Sequence, residues 1–351
     1  MAQTTPLKNL LNANKFLLGL SPMDGITDAA FRLTQTQIAK PDLIFTEFVS
    51  AEGLAHNAVK LYDTLLFSPQ ERPIIGQLFG KDPQSFYTAA VILCHLGFDG
   101  IDINFGCPAK TVTQHGSGAA LIAQPQLARD IINSVKTAID DFATNKVSIN
   151  SLQLKPKVIE AINRNLQYSP HQTKIIPTLS VKTRLGIDTD VSKKWIPFLL
   201  HFNLDFLTLH GRTLRQGYAG LADWQAISRA GKLAKSAGVY FFGNGDIDSS
   251  KKALEYSEKY HTPGILIGRA AMGNPWVFTG KQANFTEKYQ AMLLHAQNFL
   301  KIFPHRRFDP LRRHFLLYVS GHPRAKALRQ EIVQLTSIEQ LCSLEEKILN
   351  C

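Results

Sequence analysis

Short runs of apolar and β-branched residues recur along the chain, and between them apolar positions return with helical spacing. This alternation predicts a parallel α/β sheet. Eight such runs stand out, near Phe16 to Leu20, Leu43 to Thr46, Ile74 to Leu78, Ile101 to Asn104, Leu179 to Lys182, Phe206 to His210, Tyr240 to Gly243 and Gly264 to Ile267. Most begin about 25 to 35 residues apart, room for a strand, a helix and two short loops. The interval between the fourth and fifth runs is far longer. It is expected to hold a helix from about Gln126 to Ile139, followed by an inserted segment, 142–174, with a short helix over Lys157 to Leu166.

Eight βα units suffice to close a (β/α)8 TIM barrel, whose chemistry sits on the loops that follow the strands' carboxyl ends. Those ends carry, in order, Pro22-Met23-Asp24, Glu47, Gln77, Asn104 with Cys107, Lys182, His210-Gly211-Arg212, Asn244-Gly245-Asp246 and Gly268-Arg269. Glycine amides after the seventh and eighth strands of a barrel are a common phosphate site, so a phosphorylated cofactor is expected. A doubly wound dinucleotide fold is disfavoured, because no GxGxxG follows the first strand and His115 to Ala120 lacks the third glycine. Phosphate-loop, HExxH and GxSxG motifs are missing from the sequence.

Charge adds a partner to this picture. The 351 residues carry a formal net charge of +11. From 301 to 329, Lys301, Arg306, Arg307, Arg312, Arg313, Arg324, Lys326 and Arg329 face Asp309 alone. In segment 142–174, Lys146, Lys155, Lys157, Arg164 and Lys174 face only Glu160. Such clusters suit an anionic macromolecule. Phe308, Phe315 and Tyr318, interleaved with the C-terminal cations, are expected in the core rather than in contact with that partner. Segment 142–174 is either a second contact to the same partner or a solvated excursion. No apolar run approaches a membrane span and the first residues lack a signal-peptide pattern, so a cytoplasmic protein is expected. Cys94, Cys107, Cys342 and Cys351 form no CxxC pair, and neither a disulfide nor a metal framework is expected. Cys94 and Cys342 fall in helical runs as filler, and Cys351 has no assigned task.

The motifs Ser21-Pro22-Met23-Asp24-Gly25-Ile26-Thr27-Asp28, Asn104-Phe105-Gly106-Cys107-Pro108-Ala109-Lys110, Val181-Lys182-Thr183-Arg184-Leu185-Gly186, His210-Gly211-Arg212-Thr213, Gly243-Asn244-Gly245-Asp246-Ile247 and Ile267-Gly268-Arg269-Ala270 resemble those of tRNA-dihydrouridine synthases. The likeness spans about 17 to 280 and weakens to composition beyond. It implies an FMN-binding barrel over 1–280, a helical tRNA-binding domain over 281–351, NADPH as reductant and tRNA as substrate. By the same resemblance Pro22, Met23, Asp24, Gln77, Lys182, His210, Asn244, Gly245, Asp246, Gly268 and Arg269 would contact FMN, and Cys107 would be the catalytic acid. Ser21, Phe105 and segment 142–174 depart from the family's usual pattern without removing a reactive group.

Chemistry fits these assignments. Reducing the uracil C5–C6 bond needs a hydride at one carbon and a proton at its neighbour, and a cysteine thiol is protonated at neutral pH. Lys182 and His210 could hold the flavin N1–O2 edge. Arg269 would bind phosphate, with a surface ion pair as its alternative. Asn104 offers a donor and an acceptor to the uracil imide, with Arg212 on a neighbouring loop. Arg312, Arg313, Arg324 and Lys326 would meet the RNA backbone. Two rivals are a barrel flavoenzyme acting on a free pyrimidine and a non-catalytic RNA-binding module. The first leaves the C-terminal cations unexplained, and the second leaves Cys107, Lys182, His210 and Arg269 unexplained. A monomer is expected, since one chain already contains both domains.

Overall fold

The computed structural model describes residues 5–13, 15–107, 116–171 and 173–349. Pro108, Ala109 and Lys110 of the cysteine motif, His115 and Cys351 lie outside the described residues. Eight parallel strands, β1 (Leu17–Leu20), β2 (Ile44–Ser50), β3 (Ile74–Phe79), β4 (Gly100–Phe105), β5 (Thr178–Arg184), β6 (Phe206–His210), β7 (Tyr240–Asn244) and β8 (Gly264–Ile267), close into a barrel in chain order. Closure comes from β1 on β8, with Leu17 opposite Gly264 and Leu20 opposite Ile267. Each strand coincides with a predicted run to within a few residues.

Two apolar layers follow from strand periodicity, because alternate side chains face opposite sides of the sheet. Phe45, Phe206 and Phe242 fill the barrel interior, with ring centroids 6.2 Å and 5.5 Å apart along the series. Leu7 and Leu11 of the first helix, Pro6–Asn12, join that cluster. The opposite strand faces pack with the surrounding helices into a larger core. The apolar interior fill stops short of the carboxyl ends, where polar side chains take over.

Segment 142–174 follows helix Pro125–Ala143 and contains helix Pro156–Tyr168, longer than the expected one. Its cations are largely spoken for. Arg164 pairs with Asp63 at 2.7 Å, Lys174 donates to the carbonyls of Phe142 and Ala143, and Lys146 lies 3.9 Å from Asp141. Asn165 Nδ2 donates to the Tyr62 carbonyl at 2.8 Å. The segment is thereby bound to the stretch that follows β2.

The C-terminal region is helical, with helices Phe285–Ile302, Asp309–Tyr318, Ala325–Ile332, Ile338–Cys342 and Glu345–Leu349. It shares a second core with Ala29, Ala30 and Leu33 of helix Ala29–Ala39, the first helix after β1. Phe308, Phe315 and Tyr318 are all buried in this core, as expected. Asn298 Nδ2 adds hydrogen bonds to Thr34 and Gln37 across the junction. Among the described residues no helix is long and apolar enough to cross a membrane, and no cluster of three or more His, Cys, Asp or Glu could hold a metal ion.

Beneath that junction Arg32 is fully buried. Its Nε donates to Glu71 at 2.7 Å, Nη1 to the Thr27 carbonyl at 2.6 Å and Nη2 to the Leu66 carbonyl at 2.5 Å. A buried ion pair is weak evidence for net stability, but removing one partner strands a charge. Glu71→Ala is therefore expected to cost about 3–5 kcal/mol in urea unfolding, and the double change Arg32→Met with Glu71→Met to recover much of that loss. Equal losses in both variants would refute this account of the pair.

Candidate active site

The carboxyl ends of the strands surround a cavity of about 1020 Å3. Register explains why polar groups meet there. Asn104 on β4 is the partner of Lys182 on β5, Arg184 of His210 on β6, and His210 of Asn244 on β7. Lys182 and Arg184 are two residues apart, so the period of a strand puts both on one face. All eleven residues matched to cofactor contacts line the cavity, as do Asn104 and Cys107. Arg184, Tyr218 and Met272 also line it and had received no role. For Arg184 the strand period was a signal in the sequence, whereas Tyr218 lies in a glycine-rich loop with none.

Cys107 is held by a hydrogen-bond relay that starts deep in the barrel. Asp102, fully buried, accepts from Ser180 Oγ at 2.6 Å and from Gln77 Nε2 at 2.7 Å. Gln77 Oε1 accepts from Asn104 Nδ2 at 3.0 Å, and Asn104 Oδ1 accepts from the amides of Gly106 and Cys107 at 2.9 and 2.8 Å. From the other side, Arg184 Nε donates to the Gly106 carbonyl at 2.7 Å and Thr183 Oγ1 to that of Phe105 at 3.1 Å. A Cβ at Gly106 would come within 3.3 Å of the Thr183 backbone, so glycine permits this close approach. Asn104, expected to read the uracil edge, thus spends its acceptor on shaping the cysteine loop.

The buried charges of the cavity wall are tuned by burial. Burial, with help from Arg184, pulls the Lys182 ammonium down to about 8, against a smaller opposing pull from Asp102. Burial likewise lowers Arg184 to about 10 and raises the Asp102 carboxyl to about 6. His210 is held well below the usual imidazole range by burial and by the surrounding cations Arg184, Lys182, Arg212 and Arg269, so it is neutral at pH 7. No described carboxylate forms an ion pair with Arg184.

At the β7–β8 edge, Asp246 spends its carboxylate on Arg212 Nη2, at 2.7 Å to both oxygens, and on the Ala222 amide at 2.7 Å. Arg269 Nη2 lies 3.4 Å from the same carboxylate, and its guanidinium sits 4.6 Å from the Tyr218 ring centroid. Arg269 stays half-exposed. Arg212, expected beside the substrate, is 2% exposed and outside the cavity lining, bonded to Asp246 and the Gly220 carbonyl. It braces the cavity wall from behind.

The four C-terminal residues expected on RNA divide into two pairs. Arg324 and Lys326 are exposed and form no ion pair among the described residues. Arg312 binds Asp309 and the Leu335 carbonyl, while Arg313 donates to the Gly25 carbonyl on the loop after β1.

With this geometry established, comparison with known proteins supplies the relationship. A probable tRNA-dihydrouridine synthase of Staphylococcus aureus (strain COL) is 30% identical over 334 residues, covering 93% of this chain and 90% of that protein. A probable tRNA-dihydrouridine synthase 2 of Bacillus subtilis (strain 168) is 28% identical over 334 residues, covering 93% and 91%. A crystal structure of DHODH from Eimeria tenella overlays with a TM-score of 0.46 at 13% identity, over 75% of this chain and 79% of that one. The family model for dihydrouridine synthase (Dus) matches residues 19–167 and 151–350. On that match, running through both the barrel and the C-terminal helices, the chain belongs to the dihydrouridine synthase family.

Proposed function

We propose that this chain reduces the C5–C6 double bond of specific uridines in tRNA, with FMN held in the barrel-mouth cavity, NADPH as the source of electrons and Cys107 as the proton donor. The observation that carries this reading is the convergence of Cys107, Lys182, Arg184, His210 and Arg269 on one cavity. Its volume, about 1020 Å3, suits a cofactor together with an incoming base.

The residues present fit FMN. A Cβ built on Gly268 would project toward Ser21 and Met23, both cavity residues, so the missing side chain leaves room along that wall. Arg269 supplies a permanently charged donor for phosphate beside the glycines at 245 and 268. Asp246 has committed its carboxylate elsewhere and would contribute through its backbone. Pro22, Met23, Asp24, Gln77 and Asn244 would complete the binding surface around Lys182 and neutral His210. When bound, FMN supplies the hydride for one carbon of the reduced bond.

The chain's own residues supply the rest. Asn104 and Arg184 fix the loop that carries Cys107, presenting the thiol from one wall as the proton source for the neighbouring carbon. Arg184 Nη2, unlike Nε and Nη1, has no described partner and is available to a uracil carbonyl. A base in folded RNA must leave its stack to reach this depth, at a cost of a few kcal/mol. Exposed Arg324 and Lys326 would offset that cost on the RNA backbone, which gives 281–351 the role of a tRNA-binding domain appended to a catalytic barrel over 1–280. This chemistry is set in the cytoplasm.

Four outcomes are expected. Purified protein carries FMN absorbance and forms dihydrouridine in unmodified tRNA with NADPH. Cys107→Ala keeps the absorbance but loses about 100- to 10,000-fold in product formation, measured by primer-extension mapping of dihydrouridine, and full turnover would refute the acid role. Lys182 is charged below about pH 8 and neutral above it, so FMN affinity, read by fluorescence quenching, is expected to fall by up to about tenfold per pH unit above that value. Lys182→Met should flatten the profile; an unaltered slope would remove Lys182 from the binding site. Arg324→Ala should weaken tRNA binding and reduce the slope of log affinity against log salt by about one, and an unchanged slope would place the RNA elsewhere.

A further inference from the structure

Arg313 ties the C-terminal helices to the loop that forms one wall of the active-site cavity. That loop runs from β1 to helix Ala29–Ala39, and its Pro22, Met23, Asp24 and Ile26 all line the cavity. The loop is closed upon itself by the amides of Ile26 and Thr27 bonding to the Met23 carbonyl, and by Thr27 Oγ1 accepting from the Met23 amide at 3.0 Å. From the barrel side, Arg32 Nη1 holds the Thr27 carbonyl at 2.6 Å. From the other side, Arg313 Nη1 holds the Gly25 carbonyl at 2.8 Å.

This second hold is close-fitting. Gly25 has φ of 69°, a left-handed conformation that glycine adopts without strain, and a Cβ there would come within 2.6 Å of Arg313 Nη1. The same guanidinium opposes the upward push of burial on the Asp24 carboxyl, so Arg313 faces both the backbone and a side chain of the cavity wall. Its own helix, Asp309–Tyr318, cannot drift freely. Leu311, His314 and Phe315 are buried, and His314 lies 5.5 Å, centroid to centroid, from Phe31 of the helix that follows the loop.

We infer that Arg313 is a positioning residue of the cofactor loop, through which the C-terminal helices shape the FMN cavity, rather than a contact to the RNA backbone. The inference rests on the FMN reading above. It makes the C-terminal region part of the cofactor site as well as an RNA platform. Arg312, one position earlier with the same charge, makes no such bridge, since its guanidinium serves Asp309 and Leu335.

The test compares Arg313→Ala, Arg313→Lys and Arg312→Ala in the full chain, measuring FMN dissociation by fluorescence and the salt dependence of unmodified tRNA binding. A hydrogen bond to a loop carbonyl lost from Arg313→Ala is expected to weaken FMN binding about five- to tenfold. Arg313→Lys, which keeps one donor, should recover part of the loss. Arg312→Ala should keep the affinity of the unaltered protein, and the salt slope for tRNA should be the same in Arg313→Ala. Unchanged FMN affinity in Arg313→Ala, with a tRNA salt slope lower by about one, would overturn the inference and return Arg313 to the RNA surface. Failure of the unaltered protein to bind FMN at all would instead defeat the cofactor reading, and this inference with it.

Discussion

Closure of eight parallel strands constrains everything else in this molecule. With every strand running the same way and β1 joined to β8, all eight carboxyl ends share one rim, and the polar residues there can only point at one another or into the space they enclose. An apolar interior below and a polar rim above meet at the level of Gln77, Asp102 and Ser180, whose buried side chains hydrogen-bond to one another. The relay from Asp102 through Gln77 and Asn104 to the Cys107 amide is the result. A thiol on a loop acquires the precision of the barrel floor.

Charges of both signs line the rim, but its carboxylates are largely engaged. Lys182, Arg184 and Arg269 face the cavity, Asp246 and Asp248 bind Arg212 and Lys252, and Asp102, which favours the charged Lys182, is itself pushed toward neutrality by burial. Burial first, and the neighbouring cations second, displace both Lys182 and His210 downward. A pocket of this kind favours a ligand that brings negative charge. The neutral imidazole of His210 can donate or accept without adding to the repulsion.

The barrel was legible in the chain because each strand is a short apolar run bounded by turn residues, and Phe206–His210 was delimited to the residue. Most of the cavity lining was legible for the same reason, since residues at the strands' carboxyl ends gather at one rim, although Glu47 and Arg212 are outside the lining. The partners of long polar side chains were not legible. Arg212 and Arg313 sit in suggestive sequence contexts, yet one turns behind the wall to Asp246 and the other reaches across to Gly25, choices made by tertiary contacts distant in sequence. Asn104 is a milder case, its carbonyl drawn to amides two and three residues ahead. The cations of 142–174 promised a basic surface, but Arg164 and Lys174 are used locally, which charge counting along a sequence cannot register.

The arrangement around Asp246 bears on how an anion would come and go. Arg269 already leans on a carboxylate and an aromatic face, and that carboxylate is anchored more firmly by Arg212. A phosphate arriving at this edge would exchange one counter-anion for another instead of neutralising a bare charge, so much of its Coulombic gain would be cancelled. Occupancy would then be governed by fit along the whole length of the guest, and an inorganic ion would make a poor competitor for the seat.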